Sequence, residues 1–151
     1  MENTDITISG MIAGLTGGIG IMPFGIAEKY IHLADRTFHD FSQALIMSKL
    51  HPGILGIMVG VLAHLGISML GTIAFAHYII ATSKKNILIK GMFFGTSMWI
   101  ILLGAGTFYK MPEFAVIPPR SALCMYFNSA VWGLFMSFIL NKLLKENTWS
   151  K

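Results

Sequence analysis

The chain has 151 residues, of which 54% are hydrophobic and only 12% charged, about half the charged share of an ordinary soluble domain. That is too little polar surface for a water-soluble fold, and the net charge of +4 is spread over every connecting segment, which argues against a nucleic-acid interface. The single cysteine, Cys124, excludes an intramolecular disulfide.

The N-terminus, Met1 to Asp5, carries acids and no Lys or Arg. A cleavable signal peptide needs a basic start, so the first apolar stretch is expected to remain as a membrane anchor. That stretch runs from Ile6 to Ala27, and about 20 helical residues suffice to cross the hydrocarbon layer. Gly10, Gly14 and Gly18 recur within it at four-residue steps, giving one flat helix face. Pro23 predicts a kink near its end.

Glu28 to Pro52 is the longest connection. Ile31, Ala34, Phe38, Phe41 and Leu45 share one helical face, with Lys29, His32, Arg36, His39 and Gln43 on the other. The spacing predicts an amphipathic interfacial helix over 29–51, ended by Pro52 and Gly53. His32, Asp35 and His39 then fall on one face, where they make a candidate Zn²⁺ site needing a fourth ligand from elsewhere. Arg36 and Asp40 beside them equally suit a solvated, ion-paired face.

The second span runs from Ile54 to Thr82, with Gly56 and Gly60 in its first turns. His64 lies near its middle, where an ionisable side chain marks a functional candidate. The alternative is a neutral imidazole bonded to a neighbouring helix. His77 and Tyr78 sit at interfacial depth. A haem between spans would use His64 with a methionine such as Met92, Met98, Met125 or Met136, because no other span carries a histidine. The methionines otherwise serve as packing residues.

A basic turn with Lys84, Lys85 and Lys90 leads to the third span, Gly91 to Tyr109, containing Gly95 and Trp99. Pro112, Pro118 and Pro119 break the next connection, whose Phe114–Ile117 run is expected to dip into the interface. The fourth span, Ala122 to Asn141, holds Asn128 and a second small-residue ridge of Ser129, Gly133 and Ser137. Asn128 and Ser129 are the candidate partners for the indole N–H groups of Trp99 and Trp132. Trp149 reads as an interface or tail residue.

No span contains Asp, Glu, Lys or Arg. The expected fold is therefore an all-α membrane protein: four transmembrane helices in a compact bundle plus the interfacial helix, in one domain over 1–151. Six Lys/Arg on the N-terminal, second-loop and C-terminal side against five on the other favour both termini inside a bacterial cytoplasmic membrane. The absence of embedded carboxylates disfavours a carboxylate-based pump. Metalloprotease, nucleophile-elbow and phosphate-loop motifs are missing, so an enzyme is not expected.

From Pro52 onward the layout resembles small bacterial four-helix membrane proteins of the YqhR-like kind. The resemblance rests on His64, Phe75–Tyr78, Lys90–Gly91, Gly95, Trp99, Pro112, Pro118–Pro119 and the region of Gly133, with Asn128 standing where a second histidine is expected. It implies a shared bundle fold and no particular activity. Three functional readings follow. The first is an accessory or assembly protein without a cofactor, acting as a homo-oligomer or on a partner membrane protein through the Gly10–Gly14–Gly18 ridge and the segment 28–50. The second is a small transporter or pore past His64, and the third a haem or metal protein.

Overall fold

The computed structural model describes residues 3–111 and 114–149, which leaves Pro112 outside, along with the side chain of Trp149. Among the described residues five helices follow one another: α1 (Asn3–Tyr30), α2 (Phe38–Met47), α3 (Ile54–Ala81), α4 (Ile87–Phe108) and α5 (Pro119–Trp149). Four of them, all but α2, are long and apolar enough to cross a membrane. In hydrocarbon only a helix satisfies all its backbone groups within one segment, which is why these runs take that form. The chain is a multi-pass membrane protein. Apolar side chains such as Leu62, Leu70, Phe93 and Ile100 face outward, as lipid contact requires.

The spans alternate in direction and lie in the order α3, α1, α5, α4, with α3 and α4 touching only lightly. Both described chain ends and the 82–86 turn share one end of the bundle. The short helix α2, packed on α3, lies at the other. Each small-residue ridge has a definite counterpart. A Cβ on Gly14 would lie 2.6 Å from the Met69 Cα and 2.7 Å from the Ser68 carbonyl oxygen, while one on Gly10 would lie 2.9 Å from the Ile73 Cα. The α1 ridge is thus covered by α3. Gly91 and Gly95 interlock with Ser129, Gly133 and Ser137 of α5. Gly56 and Gly60 admit α2, not another span, with Gln43 and the His39 carbonyl against them.

Two apolar clusters form, one toward each end. Phe75, Ile79, Met136 and Leu140 centre the cluster toward the termini. Phe41, Leu103, Phe114 and Met125 centre the one under α2. Phe114 does more than dip into the interface. It is fully buried, with its ring edge-on to Phe41 at 5.1 Å.

The interfacial helix is shorter than its polarity pattern predicts. Residues 31–37 are not helical, because α1 ends in a Schellman motif: Leu33 N–H donates to the Glu28 carbonyl at 2.8 Å and His32 N–H to that of Lys29 at 3.1 Å. His32 takes the left-handed conformation (φ 56°) that this motif requires. A new helix then starts at the Thr37 N-cap, where Thr37 and Asp40 form a reciprocal capping box, and it ends at left-handed Ser48.

Candidate functional site

The break at 31–37 removes the geometry that the Zn²⁺ reading needs. His32 and Asp35 lie exposed in the connection and His39 sits on α2, so the three do not share a helix face. Among the described residues, no three His, Cys, Asp or Glu side chains form a group able to hold a metal ion. Instead, the connection is tied to the start of α5. The Asp35 N–H donates to Ser121 Oγ at 2.9 Å, and Arg120 Nη1 donates to the His32 carbonyl at 3.4 Å.

His39 belongs to a cluster around the α2 N-terminus. Lys29 Nζ reaches both Asp40 carboxylate oxygens at 3.1 and 3.0 Å, and Thr37 Oγ1 lies 2.9 Å from His39 Nδ1. Burial holds the His39 imidazole below its ordinary range; the Asp40 charge opposes this and Lys29 adds to it. A histidine depressed in the fold binds its proton better when unfolded. Stability is then lost as pH falls below the unfolded value of about 6.5. Thermal unfolding in detergent should show a flat midpoint from pH 7 to 8.5 and a decline below that value. His39→Gln should lessen the decline.

His64 occupies the middle of the bundle, facing α1. Its Nε2 lies 3.3 Å from the Gly18 carbonyl oxygen. A carbonyl only accepts, so this nitrogen carries the hydrogen, and in the neutral imidazole Nδ1 presents a lone pair. One turn further along α3, Ser68 Oγ donates to the Gly14 carbonyl at 2.7 Å and accepts from Trp132 Nε1 at 2.7 Å. Ser42 Oγ donates to the Phe38 carbonyl at 2.8 Å. The indole partners therefore differ from those read from the sequence: Trp99 Nε1 donates to the Ala122 carbonyl at 3.1 Å, and Trp132 to Ser68. Asn128 is committed elsewhere. Its Nδ2 donates to Glu28 Oε2 at 2.7 Å, because the last turn of α1 and the early turns of α5 lie side by side.

These groups surround two adjoining cavities. The larger, about 40 Å³, is lined by His64, Ser68, Asn128, Ser129 and Trp132, with Ile67, Met98 and Leu102 at the α3–α4 gap and Ser42 of α2 above. It has room for one to about three water-sized molecules. The smaller, about 20 Å³, shares Ile21, Phe38, His64 and Asn128 with it and reaches Thr37 and His39. Toward the opposite end the way is filled by Phe75, Phe94 and Trp132, whose successive ring centroids are 5.2 and 6.4 Å apart. The polar space therefore runs from mid-bundle to the α2 end and stops at an apolar plug.

His64 Nδ1 and Asn128 Oδ1 both bond to nothing among the described residues, and neither is sealed in packed protein. Both side chains belong to the walls of both cavities. Sequence reading singles out His64 and Asn128 but misses Ser68 and Glu28. Ser68 was open to detection, lying four residues after His64 on the same face. The Glu28 contact joins residues 100 positions apart, and no local pattern reports it.

No protein-family model, no curated protein and no solved structure matches this chain.

Proposed function

We propose that the chain is a small bacterial inner-membrane transporter that admits a small polar solute to His64 from the α2 end of the bundle. One observation carries this reading: His64 and Asn128 line both cavities, and His64 Nδ1 and Asn128 Oδ1 have no protein hydrogen-bond partner among the described residues. Acceptors left open to a cavity at mid-bundle, where lipid surrounds the spans, point to an exchangeable guest. The light α3–α4 contact offers the seam along which the Phe75–Phe94–Trp132 plug would part. An assembly role has less support, since α3 already covers the Gly10–Gly14–Gly18 ridge.

Six Lys/Arg on the side of the termini against five on the other support a topology with both termini in the cytoplasm and α2 outside. A fluorescent-protein fusion at the C-terminus should then glow, and a phosphatase fusion there should be inactive.

Liposomes containing the purified chain test the function. Small solutes should cross faster than in empty vesicles. His64→Ala should slow that passage about tenfold, the factor carried by one hydrogen bond of about 1.4 kcal/mol, and should lower the unfolding midpoint through the lost Gly18 bond, so folding of the variant in the vesicles is checked alongside. Permeability equal to that of empty vesicles for every small solute tried would sink the reading.

A further inference from the structure

The chamber's hydrogen-bonding character leans toward acceptors, and this narrows the guest. Most donors around it are spent inside the protein: His64 Nε2–H on Gly18, Ser68 on Gly14, Ser42 on Phe38 and Trp132 on Ser68. What remains are the acceptors His64 Nδ1 and Asn128 Oδ1, the second N–H of the Asn128 amide and the Ser129 hydroxyl, which both donates and accepts. No Lys or Arg lines either cavity. The nearest formal charge behind Asn128 is negative, the Glu28 carboxylate bonded to its amide at 2.7 Å. With no cation in the lining and a carboxylate behind Asn128, the wall disfavours anions and favours a positively charged guest that donates to His64 and Asn128.

Size and coordination restrict it further. A guest seated wholly within the larger cavity, about 40 Å³, is smaller than a sugar or an amino acid. Sodium, potassium and divalent ions stripped of water need about six or more oxygen ligands, and the side chains lining the cavity offer four, Asn128 Oδ1 and the hydroxyls of Ser129, Ser42 and Ser68, the last two already engaged within the protein. Ammonium has four directional N–H donors, is the size of water, and leaves room for one methyl group against those aliphatic side chains. Trp132, its N–H already used, adds an aromatic wall of the kind that attracts organic cations.

We propose that the His64–Asn128 chamber binds ammonium or a small primary alkylammonium such as methylammonium. This rests on the reading that a solute reaches His64, and it adds the chemical class.

The test uses the full chain in nanodiscs with ¹⁵N-labelled histidine, observed at pH 7. His64 is assigned by the signal missing in His64→Gln. Ammonium and methylammonium chloride are titrated against sodium, potassium and tetramethylammonium chlorides at equal ionic strength. The expected result is a saturable shift of His64 Nδ1 with the first two salts alone, as its lone pair gains a donor. Ser129→Ala should weaken the response several-fold, and Asn128→Leu should abolish it. If Asn128→Leu does not fold, Asn128→Ser takes its place and should weaken the response at least tenfold. A response that sodium reproduces, or none at all, overturns the assignment. In that case the liposome measurement separates the two ideas. Passage of neutral solutes that depends on His64 keeps the path and discards the cation, whereas no passage discards both.

Discussion

Gly14→Leu should destabilise the fold more than any other single change in the α1–α3 interface. The added Cβ alone would enter the space of the Met69 backbone and the Ser68 carbonyl, neither of which can rotate away. The helices must separate, and the bond from Ser68 to the Gly14 carbonyl and that between His64 and Gly18 are strained with them. Overpacking of this kind costs about 3 kcal/mol or more, equivalent to a fall on the order of 10 °C in the unfolding midpoint. Membrane insertion should persist, because leucine raises the hydropathy of the span. Gly104→Leu is the control, since a Cβ there meets nothing within 4 Å. Its midpoint should stay within about 2 °C of wild type, or rise slightly through helix propensity. Equal loss from both variants would mean that α1 and α3 do not pack as described.

Gly133→Leu should do comparable damage on the other side of the bundle. Gly133 faces the Gly91 carbonyl and the Gly95 Cα, so backbone meets backbone and no side chain can yield. The expected loss is again about 3 kcal/mol. It should be accompanied by exposure of α4, measurable as faster proteolysis in the 109–118 connection. Gly133→Ala should cause a smaller loss in the same direction. A wild-type midpoint for Gly133→Leu would show that α4 and α5 pack through another face.

These predictions also show where sequence reading reaches its limit. Spacing of Gly10, Gly14 and Gly18 announces a flat helix face, but the same pattern suits a neighbouring span, an interfacial helix or a second protein. The ridges in fact meet different neighbours: that of α1 meets α3, those of α4 and α5 meet each other, and Gly56 with Gly60 meets α2. The 29–51 segment has the polarity of one helix, yet residues 31–37 within it are not helical. Side-chain periodicity says nothing about the backbone bonds from Leu33 and His32 that close α1.

The sequence by itself determined that this chain spans a membrane four times with a helix between the first two spans. Length and hydropathy are sufficient there, because hydrocarbon leaves an apolar segment no way but a helix to satisfy its backbone. It also determined that His64 lies at depth and that Asn128 is the polar outlier of the last span. Only the tertiary structure decided what those two residues do with their atoms. Gly18 is 46 residues from His64 and Glu28 is 100 from Asn128. Those contacts consume one nitrogen of each side chain and leave one acceptor of each without a protein partner among the described residues, on side chains that line the same two cavities. Bonds between distant segments follow from which helices pack, and that choice is made by the shape of whole faces, not by any local run of residues.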